Sequence, residues 1–504
     1  MQGKTDLAQG IPEDAIAPGG MLAGMYEGEH VVLARLEDGR LRAVSGSCTH
    51  LGAPLETGKV SDGQLRCPWH HARFSLEDGE AVGGPALENL GCYRVEQSDG
   101  LIRVTGRRHT PAPRRELAID TPIVIIGSGA GGYAMADMLS RLGHGEDTLV
   151  LSAESDPPYE RTFVSKQYLA GRQSRDEALL PAPGQGLGEP APIRLGTPVV
   201  SLDPVTRSLT LESGETVTYG TLVLATGARA AMPDFPGAQD ARVHTLRTLA
   251  DADAILAQVQ EGKRAVVLGA SFIGLEVAAS LTQQGLDVDV VAQDAAPLAS
   301  ILGEETGQYV RRLHEEHGVT FHMGRTVTAF EHDAVWLDDT TRLPADLVIA
   351  GIGVLPRLDL ALTGDLALCE ASGGVRVDGN LRTSDPHVYA IGDIASYPDP
   401  RTGKPLRVEH WVHAQRMGQY LARAFTGAAQ TPFAQTPFFW TGYFGTQMRY
   451  VGHAKPEASR LEGDPGADDF AVFFREKGED RAVLTVGRDM LALQMEERWD
   501  AQDM

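Results

Sequence analysis

Apolar and polar positions change period along this chain. Up to about residue 107, short alternating runs, HVVLARL (30–36), RLRAVSG (40–46), CYRVEQ (92–97) and LIRVTG (101–106), are punctuated by EDG and SDG turns. Alternation sends successive side chains to opposite faces, so this region predicts a small all-β domain built of hairpins. After a Pro- and Arg-rich break, TGRRHTPAPRREL (105–117), the pattern becomes continuous apolar runs followed by glycine turns and helical periodicity. Examples are TPIVIIGSGAGGYAMADMLSRLG (121–143) and RAVVLGASFIGLEVAASLTQQG (264–285). Such alternation of buried strands with helices predicts an α/β body. From about residue 430 strand alternation returns, and DFAVFFREKGEDRAVLTVGRD (469–489) reads as a hairpin in a C-terminal α+β module.

Both strand-to-helix transitions carry glycine where it has a physical use. Gly127, Gly129 and Gly132 permit the tight turn and let a pyrophosphate approach the N–H groups of a helix N-terminus, where negative charge is favoured. The apolar run TLVLSAES (148–155) ends near Glu154, the place for a carboxylate that bonds an adenosine ribose. The second unit keeps Gly269 and Gly274 but has Ser271 in the middle, which predicts some crowding of the backbone. Its next strand, LDVDVVAQDAAPL (286–298), has Ala292 where the ribose-binding acid belongs and no Arg or Lys for a 2′-phosphate. NADH is therefore expected over NADPH. Two such units in one chain predict FAD and a nicotinamide nucleotide held against each other.

The stretch CTHLGAPLETGKVSDGQLRCPWHHARF (48–74) gathers two of the four cysteines with three histidines, and zinc, an iron–sulfur cluster or no metal at all would each account for them. Zinc sites usually separate paired ligands by two or more residues, whereas Cys48 and His50 are separated by one. Cys48, His50, Cys67 and His70 have the spacing in which two thiolates hold one iron of a [2Fe–2S] cluster and two imidazoles hold the other. With CPWHHARF and PALENLGCYRV (85–95), the region resembles Rieske domains of the ferredoxin and ring-hydroxylase type. The spacing selects His70, and His71 is read as a loop neighbour; Cys92 is read as a small buried hydrophobe. Higher-potential Rieske proteins carry an extra disulfide and a hydroxyl donor. Ala53, Trp69 and Phe74 stand at those places, so a potential toward the low end of the Rieske range is expected.

Further along, LVLATGARA (Thr226, Gly227) and VYAIGDIAS (Gly392, Asp393) resemble the strand-to-loop motifs of two-dinucleotide flavoproteins. Residues 121–454 resemble the ferredoxin-reductase and apoptosis-inducing-factor-like branch of the FAD-dependent pyridine nucleotide oxidoreductases, and the whole chain is similar to its Rieske-fused members. The resemblance implies Asp393 on the ribityl chain of FAD. From PPYERTFVSK (157–166) it implies Arg161 near the FAD pyrophosphate and Lys166 near flavin N5, with Thr162 and Val164 replacing the family's Pro and Leu and putting the rigidity of that loop in doubt. It also implies that Lys166 pairs with Glu276 as the catalytic pair, each being costly to bury without the other. The helix N-terminus in VEHWVHAQRMG (408–418), with Glu409, His410 and Trp411, is implied at the pyrimidine end of the flavin, and Trp440 beside the ring.

The expected organisation is a Rieske domain (1–107), a linker (108–120), an FAD-binding domain (121–240 and 360–428), an NAD(P)H-binding domain (241–359) and the C-terminal module (429–504). A formal charge of -23 repels nucleic acid and anionic lipid, and no stretch of about 18 uncharged apolar residues occurs. With four cysteines in 504 residues, these features predict a cytoplasmic protein. Disulfide reduction needs a close cysteine pair beside the flavin; outside the first hundred residues only Cys369 remains, read as a packing residue.

Hydride carries two electrons and a [2Fe–2S] cluster accepts one, a mismatch that flavin bridges. The expected route is NADH to FAD to cluster to a one-electron acceptor, which is a ferredoxin, an oxygenase or a small molecule. The rival reading is an NADH-responsive redox sensor with slow turnover, against which the one-electron relay argues. Oligomeric state stays open, a homo-oligomer included.

Overall fold

The computed structural model describes residues 5–109, 116–184 and 187–502. The expected linker therefore lies in part outside the described residues. The N-terminal region is all-β and antiparallel, as the alternation predicts. A six-stranded sheet runs in the order Ile11–Pro12, Leu101–Arg108, Cys92–Ser98, Leu41–Ser45, Glu29–Arg35, Met21–Tyr26. Beside it stands a four-stranded sheet of Lys59–Ser61, Gln64–Arg66, Arg73–Ser75 and Ala81–Gly83. One cysteine–histidine loop leaves the end of Leu41–Ser45, and the other is the turn between Gln64–Arg66 and Arg73–Ser75.

Two parallel five-stranded sheets follow; the central strand of the first is fully buried, and that of the second is buried except at Arg264. Ile123–Ile126 is flanked by Thr148–Leu151 and Thr221–Leu224, and the sheet is closed by Val388–Ala390, which returns from far along the chain. The second sheet orders Val243–Thr245, Leu347–Ala350, Arg264–Leu268, Asp287–Ala292 and Thr320–Met323. Strands buried on both faces have no polar side to alternate with, which is why they appear as unbroken apolar runs. The C-terminal module is an antiparallel sheet, Phe438–Tyr443, Thr446–Gly452, Glu479–Val486, Asp469–Glu476, Ser459–Asp464, followed by the helix Asp489–Gln502. Met495 and Trp499 of that helix pack on Phe438, Val451 and Phe473.

The β-rich N-terminal region is seated on the rest of the molecule through charged and polar groups. His71, read from sequence as a loop neighbour, is wholly buried: its Nδ1 lies 2.7 Å from Glu496, and its ring stacks on Phe438 with centroids 4.0 Å apart. Arg416, on the helix Trp411–Phe425, pairs with the other oxygen of Glu496 and donates to the His71 carbonyl at 3.1 Å. Arg449 donates to the Trp69 carbonyl at 2.8 Å, Gln419 accepts from the Gly84 N–H at 2.8 Å, and Arg141 reaches Asn89 at 3.0 Å. Burial alone would raise the Glu496 carboxyl, but Arg416 and His71 overrule it and hold it well below the usual carboxylate range.

A carboxylate depressed in the folded state contributes stability above its unfolded pKa and loses it as pH falls through the folded one. Glu496→Gln removes that contribution and leaves Arg416 buried without its counter-ion, a change worth about 3–5 kcal/mol. The expected outcome is a lower thermal midpoint near neutral pH, with the gap from the parent protein closing as the pH falls below the carboxylate range; scanning calorimetry across pH reads both.

Candidate functional site

The two cysteine–histidine loops converge. His50 and His70 bring their Nδ1 atoms to 3.2 Å, the separation that a shared metal about 2 Å from each would give. The thiols of Cys48 and Cys67 lie within hydrogen-bonding reach of each other, which raises Cys48 and lowers Cys67 to about 7. Backbone N–H groups of His50 and Leu51 point at Cys48, and those of His70 and Trp69 at Cys67, so each loop wraps its own sulfur with donors. Among the described residues no three His, Cys, Asp or Glu side chains converge on one ion position. The four lie as a thiol pair and an imidazole pair, an arrangement suited to a binuclear centre with two thiolates on one metal and two imidazoles on the other. Cys92 is buried in its strand, as expected.

Consecutive His70 and His71 serve different neighbours because the backbone turns sharply there. His71 has φ of +59°, a left-handed conformation that non-glycine residues adopt only when their surroundings hold them. His70 meets Trp440 with ring centroids 4.3 Å apart, and His50 Nε2 lies 3.2 Å from Glu160. Burial alone would raise Glu160, but hydrogen bonds from His50 and Thr162 keep it below its usual range. Glu160 belongs to PPYERTFVSK, so the imidazole pair sits directly on the segment expected to pass the flavin. That segment, expected as a loop, is instead helical: Arg161–Phe163 continues into the π-helix Val164–Tyr168, which lifts Lys166 toward its partner.

Lys166 Nζ lies 2.9 Å from Glu276. Glu276 also accepts the hydroxyls of Thr441 at 2.8 Å and Ser165 at 2.5 Å, so its buried charge is met by three donors. Glu154 takes the Tyr159 hydroxyl at 2.6 Å and Arg161 Nη2 at 2.7 Å, while Arg247 holds Asp393 at 2.8 Å. Arg247, Tyr159, Glu160 and Thr441 were not read from the sequence. Tyr159 and Glu160 lie inside a motif whose other positions drew attention, whereas Arg247 and Thr441 reach the site only through the fold.

The first glycine loop fits a dinucleotide. A Cβ on Gly127 would meet the Ala225 carbonyl at 2.3 Å and one on Gly132 the Gly127 carbonyl at 1.9 Å, whereas Gly129 faces open space at the start of helix Ala130–Arg141. Gly227 and Gly392 have φ of +62° and +72° and turn the chain at the ends of the strands Thr221–Leu224 and Val388–Ala390; the Thr226 hydroxyl donates to the Arg357 carbonyl at 2.9 Å. At the start of helix Trp411–Phe425, His410 stacks on Phe439 and Glu409 pairs with Arg407. The Trp411 indole N–H is buried with no partner among the described residues, a donor suited to a ligand. In the second loop a Cβ on Gly274 would meet the Gly269 carbonyl at 2.2 Å. Ser271 does not crowd the turn: its backbone is extended, and its hydroxyl caps helix Phe272–Gln283 and donates to the Gly351 carbonyl at 2.7 Å.

Residues 121–418 match the family model described as pyridine nucleotide-disulphide oxidoreductase, and residues 10–94 match that of the Rieske [2Fe-2S] domain. This chain belongs to the pyridine nucleotide-disulphide oxidoreductase family. It is a ferredoxin-reductase-like flavoenzyme of electron transfer that carries a Rieske domain, and its cofactors are FAD, a pyridine nucleotide and a [2Fe–2S] cluster. It is 28% identical to apoptosis-inducing factor 3 of Mus musculus, over 92% of this chain and 79% of the relative. With the ferredoxin–NAD(+) reductase component of the anthranilate 1,2-dioxygenase system of Burkholderia cepacia it shares 33% identity, over 73% of this chain and 92% of the relative. The crystal structure of the covalent putidaredoxin reductase–putidaredoxin complex superposes with a TM-score of 0.70 at 29% identity, covering 76% of this chain and 94% of that one. No helix among the described residues is long and apolar enough to cross a membrane.

Lys166→Met removes the cation beside Glu276 and is expected to slow anaerobic bleaching of the flavin by NADH on the order of 10²-fold, the usual scale for losing one aimed charge-stabilising group. Stopped-flow absorbance measures it, and an unchanged rate would make the pair purely structural.

Proposed function

We propose that this flavoenzyme takes electrons from NADH and passes them inside one chain to a Rieske cluster held by Cys48, His50, Cys67 and His70. The observation that carries the proposal is the seating of His50 on Glu160 and of His70 on Trp440, two positions in segments assigned to the flavin. Bound FAD would supply the conversion of a hydride into single electrons. Around it, Gly127, Gly129 and Gly132 admit the pyrophosphate and Arg161 supplies positive charge nearby. Glu154 and Asp393 offer carboxylates to the ribose and the ribityl chain, and Glu409, His410 and Trp411 start the helix at the pyrimidine end. Lys166, fixed by Glu276, is the cation near N5. Gly269 and Gly274 form the nicotinamide nucleotide's turn. Ala292 ends its strand without a cation for a 2′-phosphate, and the Burkholderia relative is named for NAD(+); both support NADH.

The alternation of the strand Phe438–Tyr443 supports this reading. Phe438 and Trp440 face the histidines, while Phe439 and Thr441 meet His410 and Glu276 on the opposite side, as a period of two requires. Trp440 thus meets the imidazoles, and its chain neighbours Phe439 and Thr441 meet His410 and Glu276. The domain limits proposed are those read from the sequence, the FAD-binding part being completed by the return of Val388–Ala390 to its sheet. The final acceptor is a ferredoxin, an oxygenase or a small molecule.

Anaerobic titration with NADH, followed by absorbance and low-temperature electron paramagnetic resonance, is expected to bleach the flavin first and then develop a Rieske signal at a rate independent of protein concentration. Trp440→Ala is expected to slow the second phase several-fold and spare the first. Cluster reduction proportional to protein concentration would show transfer between molecules and overturn the intramolecular route.

A further inference from the structure

Between the cluster loop at Pro68–Trp69 and the start of the helix Asp489–Gln502 lies a cavity of about 460 Å³. Small-molecule sites span about 300–1,000 Å³ and are mostly apolar with a few polar groups. Here Pro68, Trp69, Met490 and Leu491 supply the apolar wall and Thr57, Asp489 and Arg488 the polar edge, Arg488 being paired with Asp469 through Nε and Nη2 and leaving Nη1 for a ligand. Trp69 is 37% exposed, and its ring meets that of His70 edge-on with centroids 6.4 Å apart. Its position is fixed from behind by Arg449, which holds the Trp69 carbonyl at 2.8 Å and is itself held by Asp489 at 2.5 Å.

The imidazoles offer no comparable access. The side chain of His50 is 6% exposed and His70 is 8% exposed, both turned toward Glu160 and Trp440. Trp69 is therefore the aromatic group that joins the cluster loops to open space. The exposed apolar surface beside it is small, Leu51 at 43% being the other large side chain exposed on the two loops. A protein partner usually covers about 800 Å² of each surface.

We propose that this cavity binds a planar aromatic one-electron acceptor of the quinone class, its ring against Trp69 and a carbonyl toward Arg488. The proposal rests on the reading of Cys48, His50, Cys67 and His70 as cluster ligands. Each encounter moves one electron onto the quinone and leaves the cluster oxidised by one electron. Two encounters and two protons from water give the hydroquinone, with NADH as the source of both electrons.

The test uses full-length holoenzyme with menadione as the probe and Thr57→Trp, an exposed position, to fill the cavity. Equilibrium dialysis of menadione against oxidised protein is expected to show binding that the variant loses, and the menadione KM is expected to rise about tenfold or more. Reduction of ferricyanide, a hydrophilic acceptor with no need of an apolar cavity, and the NADH-induced Rieske signal are expected to persist. Menadione binding and KM unchanged in the variant would overturn the proposal. So would a variant that still binds menadione but no longer reduces a ferredoxin, since the cavity face would then serve a protein. Absence of the Rieske signal in the parent protein would instead overturn the intramolecular route, while dialysis would still report on the cavity.

Discussion

A single buried carboxylate, that of Glu496, holds three regions of this molecule together. Its oxygens are divided between Arg416 from the helix Trp411–Phe425 and His71 from the cluster loop, and all three side chains are almost fully buried. An isolated charge at such depth would cost several kcal/mol, so each partner is needed by the others. Because His71 lies more than three hundred residues from both Arg416 and Glu496, the network closes only when the Rieske domain, the flavoprotein body and the C-terminal helix are all in place. Arg449 and Arg141 extend the same logic along the seam, each satisfying main-chain or amide oxygens of the N-terminal domain.

From that anchor the placement of the redox groups follows by backbone geometry. The left-handed turn at His71 points one imidazole into the charge network and leaves its predecessor facing Trp440. The alternate faces of the strand Phe438–Tyr443 then translate Rieske docking into contact with the flavoprotein: Phe438 under His71 and Trp440 under His70 on one side, Phe439 and Thr441 toward His410 and Glu276 on the other. The pair Lys166–Glu276 lies on the flavoprotein side of that strand, where Thr441 and Ser165 also donate to the carboxylate.

Much of this was legible in the sequence because it is local. Strand alternation, unbroken apolar runs and glycines at fixed offsets describe interactions within a few residues, and the two parallel sheets and the antiparallel ends follow from them. The pairing of Lys166 with Glu276 was also expected, though from a resemblance rather than from the residues alone. What stayed hidden depends on distant partners. His71 looks like any loop histidine until Glu496 and Phe438 are brought to it. Ser271 looks like a poor glycine until its hydroxyl is seen to cap the helix and bond Gly351. Glu160 has no evident task until His50 arrives. The π-helical stretch Val164–Tyr168 could not be inferred from residue types that suit an ordinary loop.

The covered imidazole edge sets the terms on which this chain can trade electrons. A carrier that is both covalently joined and seated works at a local concentration fixed by architecture, not by how much of it a cell makes. Reductase and carrier are thus present in strict one-to-one proportion, and soluble competitors find the shared face already taken. On the proposed intramolecular route, kinship with ferredoxin reductases would not extend to their economy of supply: the first hand-off would be insulated from the surrounding pool.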